Sequence, residues 1–311
     1  MQYGKYIFSC VLENDALLPP YKGSTFRGIF GLALKKVVCA LKHQDCINCL
    51  LREKCVYASV FETSLAIADG KGKKRIAAPP HPYVIEPASS TKTHYAKGEL
   101  FDFALVLFGE ANDYLPYFIY AVEQMGSIGI GKKIEGKRAG FELKCVTTDS
   151  VNLVYSSDDK KIRGGGFTRE LLIEELTEPV DTLEITLGTP LRLKFQNRLE
   201  ADLPFHVLIR ATLRRISSLF NYHGKGEPSL DYRGLVKRAK DVEITDSSLE
   251  WYDWKRYSNK QDQSMLMGGI TGKVCYSGNL GEFVPLIKFC EKVHIGKQTS
   301  FGLGKIKITG M

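Results

Sequence analysis

Tyr3 to Leu12 reads as a β-strand, and Pro19-Pro20 with Gly23 ends it in a turn. The pattern then changes period. Phe26, Ile29, Phe30, Ala33, Leu34, Val37, Val38 and Leu41 recur three and four residues apart, the spacing of one helix face. Ser24 precedes them at the expected N-cap position. Arg27, Gly31, Lys35 and Lys42 share the opposite face. A cysteine-bearing segment and a short apolar run, Val56 to Phe61, follow. Beyond a basic glycine-bearing loop, Asp69 to Arg75, Leu100 to Phe108 is a predicted strand. Tyr114 to Met125 is a predicted helix with Pro116 in its first turn, where the missing N–H costs nothing. Gly126, Gly129 and Gly131 read as a loop, and Gly140–Thr147 with Val151–Tyr155 as a hairpin.

The pattern then starts again. Asp158 to Arg169 is polar and holds Gly164-Gly165-Gly166, so the domain change is expected between there and Asp181. Leu183 to Phe195 reads as a strand pair or one bent strand. A second strong helix has Phe205, Leu208, Ile209, Leu213, Ile216, Leu219 and Phe220 on its apolar face. His206, Arg210 and Arg214 stand on the other face, four residues apart. Val242–Tyr257 and Met265–Tyr276 read as strands, Phe283–Val293 as a helix, and a glycine-rich loop leads to a last strand ending near Thr309. Ile130-Gly131-Lys132 and later Ala139 to Leu143 parallel Ile295-Gly296-Lys297 and later Leu303 to Ile306. Each half has the order β-α-β-β-α-β, the ferredoxin-like unit. The expected fold is α+β: tandem ferredoxin-like (RRM-like) domains over 1–165 and 166–311, with a small Cys-rich insertion at 39–55 in the first.

Composition narrows the partners. At 311 residues with 44% hydrophobic and 25% charged, the chain can form substantial cores. A net charge of +8 suits a polyanion. No run reaches the ~18 apolar residues of a membrane span, and the start lacks a signal-peptide apolar region. The expectation is a cytoplasmic protein with no membrane partner, in which eight cysteines are not structural disulfides. Cys10, Cys145, Cys275 and Cys290 stand among apolar neighbours as small core residues. Cys39, Cys46, Cys49 and Cys55 are different, being spaced C-x6-C-x2-C-x5-C. Four thiolates make a closed tetrahedral zinc site, structural rather than catalytic. Reduced thiols without metal are the other reading, and no iron–sulfur spacing matches.

The final loop supplies Gly296, Gly302 and Gly304, with Lys297 and Lys305 for charge and Gln298, Thr299 and Ser300 as hydrogen-bond donors. Glycines let backbone N–H groups approach a phosphate closely. The segment is no P-loop and opens no helix, so nucleotide hydrolysis and dinucleotide binding are not suggested. A tight β-turn cluster with a solvated lysine is the alternative.

This loop, His294 to Gly304, resembles the carboxy-terminal glycine-rich signature of the CRISPR precursor-RNA-processing endoribonucleases in the repeat-associated (RAMP) superfamily. Phe26 to Leu34 is similar to that family's first helix. Cys55-Val56-Tyr57 leading to Phe61-Glu62, Pro80-His81-Pro82-Tyr83, Leu213 to Ile216, Trp254 to Ser258 and Gly268 to Gly272 also resemble it, in the family's order. The resemblance implies tandem ferredoxin-like domains, binding of CRISPR repeat RNA, a role in antiviral defence, and RNA cleavage without a catalytic metal. Such cleavage uses the ribose 2′-OH as nucleophile and leaves a 2′,3′-cyclic phosphate and a 5′-OH; it needs a base, an acid and a cation. The resemblance places catalytic histidines on or just after the first helix. His43 is the candidate there, although Leu32 occupies one position where some relatives carry the histidine. Tyr21, Arg27 and Lys35 could assist. His206, His223 and His294 are the other candidates, while His81 and His94 lie in a variable connection. The expected RNA contacts are Arg27, Arg210, Arg214 and the loop residues Gly296 to Ser300, Gly302, Gly304 and Lys305. The rival readings are a non-catalytic RAMP subunit holding guide RNA among the subunits of a CRISPR effector complex, and a zinc-stabilised RNA-binding protein unrelated to CRISPR.

Overall fold

The structure is a computed structural model that describes residues 1–42, 44–63, 79–164, 167–176, 178–193, 202–258 and 263–311, without the side chains at 255–258 and 263–267. The chain divides into two units, Met1–Glu170 with Tyr222–Gly224, and Leu171–Asn221 with Lys225–Met311.

In the first unit the chain forms β1 (Gln2–Leu12), β2 (Ala16–Leu17), α1 (Gly23–Val38), α2 (Val56–Phe61), β3 (Tyr83–Pro87), β4 (His94–Tyr95) and β5 (Leu100–Phe108). It continues as α3 (Leu115–Ile128), β6 (Ile130–Ile134), β7 (Lys137–Ala139), β8 (Phe141–Thr148), β9 (Leu153–Ser156), β10 (Lys161–Ile162) and β11 (Arg169–Glu170). The sheet runs β10-β9-β8-β1-β5-β3, with antiparallel neighbours and β11 added to β1. Counting only β1, β3, β5 and β8, the order is fourth, first, third, second, as a ferredoxin-like unit requires. Alternating residues of β1 supply buried Tyr6, Phe8, Cys10 and Leu12, against which α1 packs Phe26, Ile29, Phe30, Ala33 and Leu34. Phe8 and Phe103 stack at 5.2 Å, and Phe26 lies 5.2 Å from Phe103. Each such fully buried ring contributes roughly 1.5–3 kcal/mol.

The second unit contains β12 (Thr182–Leu191), α4 (Phe205–His223), α5 (Tyr232–Arg238), β13 (Glu243–Ser247), β14 (Glu250–Ser258), β15 (Gln263–Ser277), α6 (Val284–Val293) and β16 (Ile306–Gly310). Its sheet order is β13-β15-β12-β16, with β14 also on β15. This is again fourth, first, third, second, read from the opposite edge. Phe205 packs edge-on against Tyr276 at 4.8 Å and Phe283 at 5.1 Å, joining α4 to the sheet and to the start of α6.

The repeat extends to single dihedral angles. Gly129 caps α3 with φ 81° and ψ 156°, and His294 caps α6 with φ 58° and ψ 157°. Fully buried Ile130 and Ile295 follow, then Gly131 at φ 79° and Gly296 at φ 83°. Two local expectations are corrected. Gly126 is helical, because α3 runs on to Ile128; a Cβ there would come within 1.9 Å of Phe141 O, so the glycine serves close helix–strand packing. Ser24 is not the N-cap of α1: the helix starts at Gly23 behind Lys22, which is held by its Nζ donating to Pro20 O and Ser90 O.

Candidate functional site

The polar row of α1 is occupied by α2. Gly31 leaves room for an aromatic ring, since a Cβ there would come within 2.8 Å of Phe61 Cε1. The Arg27 guanidinium lies 5.2 Å from the Phe61 ring centre and Lys35 Nζ 5.6 Å from that of Tyr57. Tyr57 and Phe61 stack on each other at 5.3 Å. Two cations and two rings thus form a ladder between the helices, each contact worth about 0.5–2 kcal/mol depending on its desolvation. Arg27 Nη2 also stands 3.3 Å from His81 Nε2, and His81 Nδ1 stands 2.9 Å from Val60 O. A carbonyl only accepts, so Nδ1 carries the proton and, in the neutral ring, Nε2 accepts from Arg27. Arg27 and Lys35, expected as an RNA contact and a catalytic aid, are therefore both engaged with α2 and the segment that follows it. Burial, and after it Glu86, holds the Tyr21 hydroxyl protonated well above the usual phenol range.

The cysteine segment begins where α1 ends. Cys39 caps α1, its N–H donating to Lys35 O at 3.0 Å. Cys46 opens a 3-10 turn, and Cys55 is the N-cap residue of α2. All four clustered cysteines are half-buried free thiols. Burial raises the Cys46 thiol, the Lys35 ammonium opposes this, and Glu62, Cys55 and Cys39 raise it further. The residue types suit zinc, but among the described residues no three His, Cys, Asp or Glu side chains are grouped to hold a metal ion. His43, in the same segment, lies outside the described residues.

In the second unit Arg210 and Arg214 are exposed along α4, as their spacing predicts. His206 shares their row half-buried, its pKa lowered by burial and then by Arg210 and Lys240. Arg215, which sequence periodicity does not single out, turns inward. Its Nε donates to Val293 O and His294 O, both at 3.1 Å, and its Nη2 to Val293 O at 2.8 Å. A buried guanidinium thereby meets the negative end of α6. Burial lowers its pKa to about 10, so it stays charged at neutral pH. The available signal is an arginine three residues past Thr212 and four before Leu219, both on the buried face of α4.

Arg215 anchors the start of the glycine-rich loop. Most of the loop's described backbone donors are turned into the protein: Ile295 N–H to Gly304 O, Lys297 N–H to Arg192 O, Gly304 N–H to Pro190 O and Lys305 N–H to Thr189 Oγ1. Thr189 Oγ1 donates in turn to Gly302 O at 2.8 Å. Thr299 and Ser300, expected as phosphate donors, are buried; the segment around them is a 3-10 turn closed by Gly302 at φ 83°. Lys297 is exposed, while Gly296, Gln298 and Lys305 are half-buried. The glycines thus serve the fold before any ligand. Gly304→Ala would place a Cβ 1.8 Å from Ile295 O at φ 73°. Left-handed backbone and forced overpacking together give an expected loss of roughly 2–5 kcal/mol, checked as a lowered denaturant midpoint with unchanged slope.

The remaining histidines are placed as follows. His294 is fully buried with Nδ1 3.0 Å from Leu303 O. His223 Nε2 is 2.8 Å from Pro80 O within the first unit, and His94 Nδ1 is 3.0 Å from Thr93 Oγ1 at an exposed position.

Two family models account for most of the chain. AF_1859_N, an N-terminal domain, matches residues 1–166, and CRISPR-associated endoribonuclease Cas6 matches residues 185–306. The chain belongs to the family defined by the AF_1859_N domain, and its second half is similar to Cas6. An uncharacterized protein of Archaeoglobus fulgidus is 26% identical over 302 residues, 94% of this chain and 92% of the relative. Among solved structures, Thermus thermophilus Cas6 superposes with a TM-score of 0.56 at 11% identity, over 99% of this chain and 98% of that one. A Cas6 product complex gives 0.54 at 14% identity, covering 98% and 99%. At these identities the superpositions establish the fold, which is the tandem ferredoxin-like arrangement of Cas6-type proteins. The Cas6 match takes in α4, the β14–β15 hairpin, α6 and the whole glycine-rich loop.

Proposed function

We propose that this Cas6-type protein is an endoribonuclease that cuts CRISPR repeat RNA in precursor transcripts by internal attack of a ribose 2′-OH, without a catalytic metal. The observation that carries the reading is the Cas6 match across residues 185–306, with exposed Lys297 on a loop pinned by Arg215, Thr189 and backbone carbonyls. In the reaction the base takes the 2′-OH proton, O2′ bonds to phosphorus as the bond to O5′ breaks, and O5′ receives a proton. His43 is the proposed base. Tyr21, kept protonated by burial, and Lys35 are the proposed donors and charge stabilisers. Arg27, Arg210, Arg214 and the glycine-rich loop are the proposed RNA contacts, with Cys39, Cys46, Cys49 and Cys55 as ligands of a structural zinc. No described helix is long and apolar enough to cross a membrane; cytoplasmic localisation is part of the proposal. Incubating the protein with repeat RNA in EDTA and analysing the product ends tests the reading: a 2′,3′-cyclic phosphate with a 5′-OH supports it, and intact RNA refutes it.

A non-catalytic guide-RNA subunit is the second reading. It is favoured by the engagement of Arg27 and Lys35 with α2 and by the commitment of His81, His223 and His294 to backbone carbonyls. Subunits of a CRISPR effector complex would then be its partners. A Cas6-RT-Cas1–Cas2 complex superposes with a TM-score of 0.55 at 13% identity, over 99% of this chain and 29% of that one. Both readings predict that Lys297→Ala weakens binding to many RNAs about equally and lowers the salt slope by about one, the signature of one lost phosphate contact. Binding measured across a salt series checks this, and an unchanged slope makes the loop purely structural.

A further inference from the structure

The second unit carries an aromatic ribbon that the reading above does not use. β14 and β15 pair from Glu250↔Thr271 to Ser258↔Gln263, and among the described residues β12 pairs with β15 from Ile270 onward. β14 and β15 thus form one antiparallel ribbon. Its two sides differ. On one, Trp251 and Asp253 lie over Gly268, where a Cβ would come within 2.5 Å of the Trp251 ring and 2.2 Å of Asp253 Oδ1. Trp251 Nε1 donates to Asp253 Oδ1 at 2.9 Å, so this indole is locked to its own ribbon. On the other side Tyr252 and Trp254 stack at 5.7 Å with an interplanar angle of 26°. Tyr252 keeps 44% of its surface exposed.

That second side adjoins the glycine-rich loop. Tyr252 pairs with Gly269, and directly opposed residues of an antiparallel pair point the same way. A Cβ on Gly269 would come within 3.0 Å of Pro190 Cβ and 3.1 Å of Leu191 C. Pro190 O and Arg192 O are the carbonyls that accept from the loop's Gly304 and Lys297. One short stretch of β12 and its continuation thus separates exposed Tyr252 and half-buried Trp254 from an exposed lysine on a pinned loop. The strand continues Lys255-Arg256 in a chain of net charge +8. Stacked rings across a strand from a lysine-bearing loop suit a nucleic-acid base whose phosphate is held nearby, because every base offers a π-face.

We infer that Tyr252 and Trp254 form a stacking platform for an unpaired base of single-stranded RNA, next to the phosphate contact at Lys297. The inference rests on the RNA-binding reading and adds the single-stranded flank of the substrate to it. The chain's two tryptophans are both on β14, so intrinsic indole fluorescence reports on this ribbon alone. The test titrates the full chain with an unstructured oligouridylate of about eight nucleotides, within the footprint of single-strand sites. Quenching is expected in the wild type and in Trp251→Phe, and its loss in Trp254→Leu. Tyr252→Ala should weaken oligouridylate binding about 5- to 100-fold, the range of one lost base stack. If Tyr252→Ala and Trp254→Leu bind as the wild type does, the platform is overturned; repeat RNA still bound by the wild type then leaves the parent reading standing. Quenching that follows protein rather than RNA concentration overturns it in favour of a second copy of the chain. Wild type that binds neither RNA overturns both.

Discussion

Repeat RNA with a 2′-deoxy ribose at the scissile position is expected to stay intact under conditions that fully cleave the all-ribose substrate, while binding with nearly unchanged affinity. The 2′-OH is the proposed nucleophile, so its removal abolishes the reaction rather than slowing it. His43→Ala leaves the nucleophile but removes the proposed base, and general acid–base assistance is worth roughly 10²–10⁴-fold. Single-turnover cleavage should fall by about that factor with affinity preserved. A loss of only a few-fold would move proton transfer elsewhere. His206 is then the first alternative, since burial and Arg210 favour its neutral, proton-accepting form and its row on α4 is shared with Arg210 and Arg214. His294 is the poorest one, being fully buried with Nδ1 at Leu303 O. Cleavage of the 2′-deoxy RNA at full rate, or cleavage abolished by EDTA in protein that keeps its zinc, would refute the mechanism.

Most of the repeated element order was legible because it depends on periodicity, although β3 was not read from the sequence. Strands such as β1 alternate, and helices such as α1 and α4 recur every three to four residues, so type and order follow from the pattern. The parallel of Ile130-Gly131 with Ile295-Gly296 also holds as matching dihedral angles. What could not be read were features set by a distant partner. Gly126 looks like a loop glycine locally, yet its bareness answers to Phe141 O, fifteen residues on. Arg27 and Lys35 read as residues open to RNA because nothing in α1 announces that Tyr57 and Phe61 will cover their face. Thr299 and Ser300 look like ligand donors by type, and only the 3-10 turn that buries them shows otherwise. Arg215 was illegible for the opposite reason: a charge on a buried face reads as an error until the carbonyls of Val293 and His294 are placed around it.

Those covered cations set up the second large effect. α2 spans only Val56–Phe61, too short to be stable as an isolated helix. Its hold on α1 includes the ring–cation ladder, the fit of Phe61 over Gly31 and the Phe30–Phe61 contact at 5.8 Å. Cys39 at the end of α1 and Cys55 at the start of α2 flank this contact, with Cys46 near enough to feel both thiols. A zinc on Cys39, Cys46, Cys49 and Cys55 would tie the end of one helix to the start of the other. Structural zinc contributes roughly 10–16 kcal/mol of apparent binding energy in zinc-finger peptides at neutral pH, far more than the ladder supplies. Untagged protein is therefore expected to carry one zinc per chain by elemental analysis. Cys46→Ser should lower that content and the melting temperature of the first unit, and speed amide exchange across α2 while leaving β1 and β5 protected. Cys145→Ser, on β8 and outside the cluster, should leave zinc content unchanged. Binding lost on acidification should return at neutral pH, because thiolates must shed their protons to bind the metal. Burial raises the Cys46 thiol, so its metal-free form is protonated at neutral pH and would release a proton on binding. Metal-free protein with unchanged melting and α2 exchange would leave the four cysteines as reduced thiols and the hold on α2 to the ladder and the packing of Phe61.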